Sequence, residues 1–211
     1  MRRQIHYNAS EHGVPGEDAD SYLRPAFSFT NRMRRMLWGV CWNLFYRTSP
    51  RPFHTWRALL LRAFGAKLGP DCHFYPGSRV WAPWNLCCHE AVGVADGAEI
   101  YNPAPMVLGS HAILSQGAYL CGATHDVDDP AFPLLAYATE VGAYAWICAR
   151  ASVAPGVQVG EGAVLGLGSV ATRDLAAWTV YGGCPAMPIR ERRQGSVRPA
   201  IHPVVPATHP D

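Results

Sequence analysis

Residues 141–176 read VGAYAW ICARAS VAPGVQ VGEGAV LGLGSV ATRDLA when divided in sixes. The first position of each unit is aliphatic or small: Val141, Ile147, Val153, Val159, Leu165 and Ala171. The fifth is Ala145, Ala151, Val157, Ala163, Ser169 and Leu175, and glycine stands second at 142, 160 and 166. A period of six belongs neither to an amphipathic helix nor to a heptad coil, both of which need apolar residues three and four apart. It suits a short strand followed by a tight turn. The aliphatic side chain points into a narrow prism, and the small residue sits near the corner, where a bulky Cβ substituent would crowd the turn. Three units make one triangular coil, and coils stack through parallel strand hydrogen bonds about 4.8 Å apart. A single coil cannot bury its apolar face, whereas a stack can.

The pattern runs outward from this stretch. Leu108, Leu114 and Leu120 continue it, with Ala112, Ala118 and Thr124 at the small positions. Cys88, Val94 and Ile100 carry a weaker version with Val92, Ala98 and Ala104, and the opening units start at Leu68, Phe74 and Val80. One long interruption occurs: residues 126–140 follow His125 before Val141 resumes the period. An insertion between coils projects outward at a corner, and such excursions commonly carry function.

Four zones follow. Residues 1–28 form an irregular N-terminal segment, 29–65 a helical extension, 66–183 the repeat domain with loop 126–140, and 184–211 a C-terminal segment that ends in a Pro-rich, flexible tail from 194. In the extension, Met33, Met36, Leu37, Val40, Cys41, Leu44 and Phe45 stand at helical spacing over Asn31 to Tyr46, with Thr30 or Asn31 as cap. Pro50 and Pro52 break the pattern, and a second helix runs from His54 to Phe64 and ends at Gly65. Arg32, Arg34, Arg35, Arg47, Arg51, Arg57 and Arg62 decorate the pair. Two readings compete: a helical hairpin packed on the main domain, or an Arg- and Trp-rich pair resting on an anionic membrane surface. No apolar run reaches the ~20 residues of a membrane span.

Apolar residues make up 49% of the 211 and charged residues 16%, which supports a sizeable core and argues against disorder. A net charge of +2 is too small to point to nucleic acid. Lys67 is the sole lysine, so the cations are almost all arginine, suited to carboxylate or phosphate groups. The polar start lacks the apolar run of a secretory signal, and the seven cysteines contain no CxxC pair. The expectation is a cytoplasmic chain with free thiols serving as small buried residues, peripheral at the inner face of the cell membrane if the helices bind there.

These hexads resemble those of the hexapeptide-repeat acyltransferases, and within them the colanic-acid-type exopolysaccharide O-acetyltransferases. The resemblance covers residues 66–190. It is carried by Ala82-Pro-Trp-Asn-Leu86, Ile100-Tyr-Asn-Pro-Ala-Pro105, Ser115-Gln-Gly-Ala-Tyr119, Thr124-His-Asp126 and Tyr181-Gly-Gly-Cys-Pro-Ala186. It implies a mainly β fold, a left-handed parallel β-helix with an N-terminal helical segment. The left hand comes from the resemblance alone, because the general rule for β crossovers predicts the opposite. It also implies a homotrimer with acetyl-CoA as co-substrate in a groove between subunits, and a sugar or polysaccharide-precursor acceptor.

His125 matches the family's general base, which takes a proton from the acceptor hydroxyl. An isolated histidine is ordinarily a surface or turn residue; the hexad slot, the loop and the Thr-His-Asp setting favour the base. What orients its ring is open in the sequence: Asp126, a backbone carbonyl or another carboxylate. Asn102 matches an asparagine that binds acceptor, against its reading as a turn former before Pro103. Tyr101, Tyr119, Asp126, Asp128 and Phe132 are further acceptor candidates. For the donor, Trp146 matches a tryptophan of the CoA groove. The same resemblance implies that Ala149, Leu167 and Thr172 fall in segments that would flank the pantetheine arm, that Arg173 and Arg190 would meet its phosphates, and that the segment from Tyr181 would lie near the adenine.

Three rival functions remain. One is an acetyltransferase for a small molecule such as a free sugar, amino sugar or antibiotic. A second is a non-catalytic scaffold. The third is a zinc enzyme like the γ-carbonic anhydrases, drawing on His73, His89, His111 and His125. No metal is expected, because these histidines occupy different hexad slots and that family's ligand spacing is absent.

Overall fold

The computed structural model describes residues 26–193; the tail from 194 and the segment before 26 lie outside the described residues. Short strands wind into a three-sided parallel β-helix. The first side stacks β1 (Lys67–Leu68), β4 (Leu86–Cys88), β7 (Met106–Leu108) and β12 (Thr139–Val141), and is continued by bridges through Val159 and Leu175. The second stacks β2 (His73–Phe74), β5 (Gly93–Val94), β8 (Ile113–Leu114), β13 (Trp146–Ile147), β15 (Val164–Leu165) and β17 (Thr179–Gly183). The third stacks β3 (Arg79–Val80), β6 (Glu99–Tyr101), β9 (Tyr119–Cys121), β14 (Ser152–Val153) and β16 (Val170–Ala171).

The first-position residues fill the prism: Val94, Ile100, Leu108, Leu114, Leu120, Val141, Ile147 and Leu165 are fully buried. Each such side chain contributes roughly 1.5–3 kcal/mol of apolar burial. The small fifth positions Ala112, Ala118, Ala145, Ala151 and Ala163 are buried as well. Where coils meet at the corner between the first and second sides, glycine is required by close approach. A Cβ on Gly142 would lie 2.5 Å from the Glu161 nitrogen, and one on Gly160 2.5 Å from that of Ala177.

Every departure from the six-residue period falls at the corner between the third and first sides. Val80 to Cys88 and Ile100 to Leu108 span eight positions, and Leu120 to Val141 spans 21. Ala171 to Leu175 spans only four, because Leu175 bridges Val159 as an inward residue, not as the small corner residue its sequence slot suggested. The register therefore shifts by two, and Tyr181 lands opposite Leu165 on the inner face.

The excursion after Leu120 also differs from the loop expected over 126–140. The chain leaves the coil earlier, as an antiparallel hairpin of β10 (Ala123–His125) and β11 (Leu134–Ala136). Thr124 is accordingly exposed on the hairpin and does not occupy a corner slot. The C-terminal segment contributes β18 (Ala186–Glu191), antiparallel to β17.

Helix α1 (Phe29–Cys41) continues through a π-helical turn at Trp42–Tyr46, and α2 is His54–Ala63. The cap of α1 is Ser28, whose hydroxyl accepts from the Asn31 N–H at 3.2 Å, in place of Thr30 or Asn31. The helices close the open end of the prism, whose outermost coil has carbonyls with no further coil to receive. Arg62 donates to the Leu68 and Gly69 carbonyls, Arg57 Nε to Phe74, the Trp42 indole to Ser78 and the Trp38 indole to Val80. Each of the three sides of the free edge thereby has at least one of its carbonyls paired. Arg57 is fully buried and does not decorate the surface as expected. Of the apolar row on this helix, Met36, Leu37, Val40 and Leu44 point to solvent and not to the domain, and Trp38, Trp42 and Tyr46 face inward.

All seven cysteines are free; Cys72 and Cys88 are buried, whereas Cys184 is exposed.

Candidate active site

The hairpin holds His125 at the tip end of its two-stranded ladder. His125 pairs with Leu134 across the two strands, and its Nδ1 lies 2.8 Å from the Phe132 carbonyl oxygen. A carbonyl only accepts, so Nδ1 carries the proton and the Nε2 lone pair is left for another proton. The imidazole also stacks on the Phe132 ring, centroids 4.3 Å apart and planes 10° from parallel. Two contacts from one residue thus fix the ring's position and its tautomer. The orienting group left open by the sequence is a backbone carbonyl. Asp126 turns elsewhere: its Oδ1 accepts from the Asp128 N–H at 3.0 Å and shapes the hairpin tip.

The hairpin is seated by Gly122, whose N–H donates to the Tyr101 carbonyl and whose carbonyl accepts from Tyr137. A Cβ there would lie 2.5 Å from the Tyr101 oxygen, so only glycine permits this seat. The Asx turn at Asp129, with Oδ1 2.8 Å from the Ala131 nitrogen, brings the chain back with Phe132 at φ 48°.

The acceptor candidates separate. Tyr101 and Tyr119 lie on the outer face of the third side, Tyr101 edge-on to Trp81 at 5.4 Å. Burial pushes both phenols up from their ordinary pKa. Asp128 is exposed at the tip. Asn102 is fully buried, and its amide bonds the Ala82 N–H and carbonyl, each at 2.9 Å. The side chain therefore faces the coil below, where it acts as a structural tie between coils.

The donor candidates separate too. Trp146 stands on the second side, its indole N–H donating to the Ser115 hydroxyl at 2.8 Å. With Ile113 it forms an exposed apolar strip, and Leu167 is the most exposed of the three. Ala149 and Leu167 occupy the corner between the second and third sides, where the Gly168 N–H meets the Ala149 carbonyl. Thr172 and Arg173 are exposed at the corner that carries the hairpin, and Arg190 is exposed on β18. Tyr181 is 9% exposed and its hydroxyl accepts from the Ala176 N–H, so the register shift turns its side chain inward. In a triangular prism the hairpin corner lies opposite the second side. His125 and Trp146 thus stand on opposite parts of one prism.

Ser115 was not singled out in the sequence; its hydrogen bond to Trp146 joins residues 31 apart in a coil whose length the hairpin changes. Phe132 was read as an acceptor contact, while its hold on His125 depends on a left-handed backbone that a phenylalanine does not advertise. A cavity of about 450 Å3 lies elsewhere, between Trp178, Thr179, Glu191 and Arg192 at the C-terminal end. Among the described residues, no three His, Cys, Asp or Glu side chains converge as metal ligands would.

No family model matches the chain. Over 177 residues, 83% of this chain and 97% of the relative, it is 35% identical to a protein of Escherichia coli K12 assigned as the colanic acid biosynthesis acetyltransferase WcaF. A shorter likeness, 39% over 54 residues and 26% of each chain, links it to a chloramphenicol acetyltransferase of Morganella morganii. Among solved structures, the hexapeptide-repeat acetyltransferase VCA0836 of Vibrio cholerae in complex with acetyl-CoA superposes with TM-score 0.71 at 20% identity, covering 78% of this chain and 90% of that one. A galactoside acetyltransferase in complex with coenzyme A gives 0.68 at 21%, covering 78% and 83%. The repeat, the stacked three-sided coils and the near full-length relative agree: the chain belongs to the colanic-acid-type acetyltransferases of the hexapeptide-repeat family.

Proposed function

We propose that this enzyme transfers acetyl from acetyl-CoA to a sugar hydroxyl during exopolysaccharide biosynthesis, with His125 as general base. The observation that carries the reading is the clamp of Phe132 on His125, which leaves Nε2 as the proton acceptor on a half-exposed hairpin. Acetyl-CoA supplies the acyl group and a thiol leaving group. The acceptor oxygen bonds to the acyl carbon as the carbon–sulfur bond breaks; Nε2 takes the hydroxyl proton, which then leaves with the thiol. The apolar strip of Ile113, Trp146 and Leu167 fits a pantetheine arm, and Arg173 or Arg190 fits its phosphates as charged partners. Because His125 and Trp146 occupy opposite parts of one prism, the reading places each site between two chains of a homotrimer.

A thiol-release assay with acetyl-CoA against a panel of sugars, sugar nucleotides and chloramphenicol tests this. Turnover is expected with a sugar hydroxyl and is expected to fall roughly 100- to 10,000-fold in His125→Ala. Near-normal turnover in that variant would remove the assigned base. Turnover on chloramphenicol alone would favour the small-molecule acceptor reading that the shorter likeness supports.

A further inference from the structure

The helical cap carries an outer surface that transfer chemistry does not use. Ten of the sixteen large apolar side chains exposed among the described residues fall within residues 29–65. Met36, Leu37, Val40 and Leu44 form a row on α1 and its π turn, each 52–60% exposed. Trp56 and Leu59 extend it onto α2, and the Trp56 indole N–H donates to the Phe45 carbonyl at 3.0 Å, joining the two rows. A contiguous apolar surface of this kind marks an interaction site.

Charge identifies the occupant. Residues 29–65 hold seven arginines and no aspartate or glutamate. Arg57 is buried in the cap, but Arg32, Arg34, Arg47, Arg51 and Arg62 are exposed around the apolar row. Among the described residues, one carboxylate meets an arginine of this segment: Asp96, 3.6 Å from Arg51. Arg34 and Arg47 instead rest on the rings of Trp84 and Trp42. A second copy docked on this face would set arginine against arginine. Anionic phospholipid headgroups complement it, with the apolar row entering the acyl boundary and the tryptophan at the level where indoles settle. No helix among the described residues is long and apolar enough to cross a membrane, so the contact is superficial.

We infer that the outer face of the helical cap docks the enzyme on an anionic lipid bilayer. In the trimer proposed above, three caps at the same end of parallel prisms would face one plane and bind together.

Sedimentation of the full chain with phosphatidylglycerol–phosphatidylcholine vesicles, compared with phosphatidylcholine alone, tests the inference. Binding is expected to the anionic vesicles and at least about tenfold weaker to neutral ones, and to decline as salt rises. Leu37→Ser/Leu44→Ser, both exposed, is expected to lower it about tenfold with Tm unchanged. Arg32→Gln/Arg47→Gln is expected to lower it roughly 25-fold, about fivefold per arginine. No partition onto anionic vesicles, or full binding by the serine variant, would overturn the inference. A drop in molecular mass of the serine variant by light scattering, without lipid binding by the parent, would reassign the face to contact between copies. Binding that appears only after removal of residues 1–25 would reassign it to that segment. No turnover is read, so these outcomes are independent of the transfer chemistry.

Discussion

Asn102 bonds both the N–H and the carbonyl of Ala82 from a fully buried position, and so fastens the second coil to the first. Asn85 completes the corner by donating to the Asn102 and Pro103 carbonyls. Removing the amide leaves two buried backbone groups of Ala82 without partners. Asn102→Ala should therefore lower stability by about 1–3 kcal/mol, seen as a fall in Tm, with acceptor KM unchanged in the folded fraction. A raised acceptor KM at unchanged Tm would restore the direct contact that the motif suggested. His125 draws notice in the sequence because the period breaks near it, and an interrupted repeat marks its own exception. The burial of Asn102 and Tyr181 was not legible for one reason: corner insertions and deletions move a side chain between the inner and outer faces, and a one-dimensional period does not show which face results.

The helical cap works as a set of donors for the first coil. Arg57 is its centre, with Nε on the Phe74 carbonyl and Nη1 on the Pro50 carbonyl and the Ser49 hydroxyl. Burial lowers the pKa of its guanidinium from the ordinary value. Arg57→Met keeps much of the volume but strips these acceptors, and should destabilise the chain by about 3 kcal/mol by denaturant unfolding. An unchanged midpoint would show that water replaces the guanidinium. The existence of both helices and the break at Pro50 and Pro52 could be read from pattern, but the buried side of α1 could not. Both faces are apolar, and the inward one is chosen by Trp38, Trp42 and Tyr46, whose polar tips reach the edge of the prism. A strict apolar count favours the aliphatic face; the hydrogen-bonding needs of an exposed strand edge favour the aromatic one.

The stacked prism was the most legible feature, since six coherent hexads leave few alternatives, whereas the proposed trimer has no direct signal in the sequence. Opposition of His125 and Trp146 across one prism makes the shared site testable. Mixed refolding of His125→Ala chains with Trp146→Ala chains at equal ratio should restore about a quarter of parental thiol release, because that share of interfaces combines the two intact sides. No recovery in mixtures shown by mass to contain both chains would confine the site to one chain. The corner that bears the hairpin has a further consequence. It absorbs two added residues twice, a long hairpin once and a two-residue deletion once, while the other two corners hold their spacing throughout. Chain length is thus a free variable at that vertex alone. Descendants of this sequence can graft, trim or exchange what surrounds the imidazole while the remaining walls keep their register, so selectivity can diversify without rebuilding the scaffold.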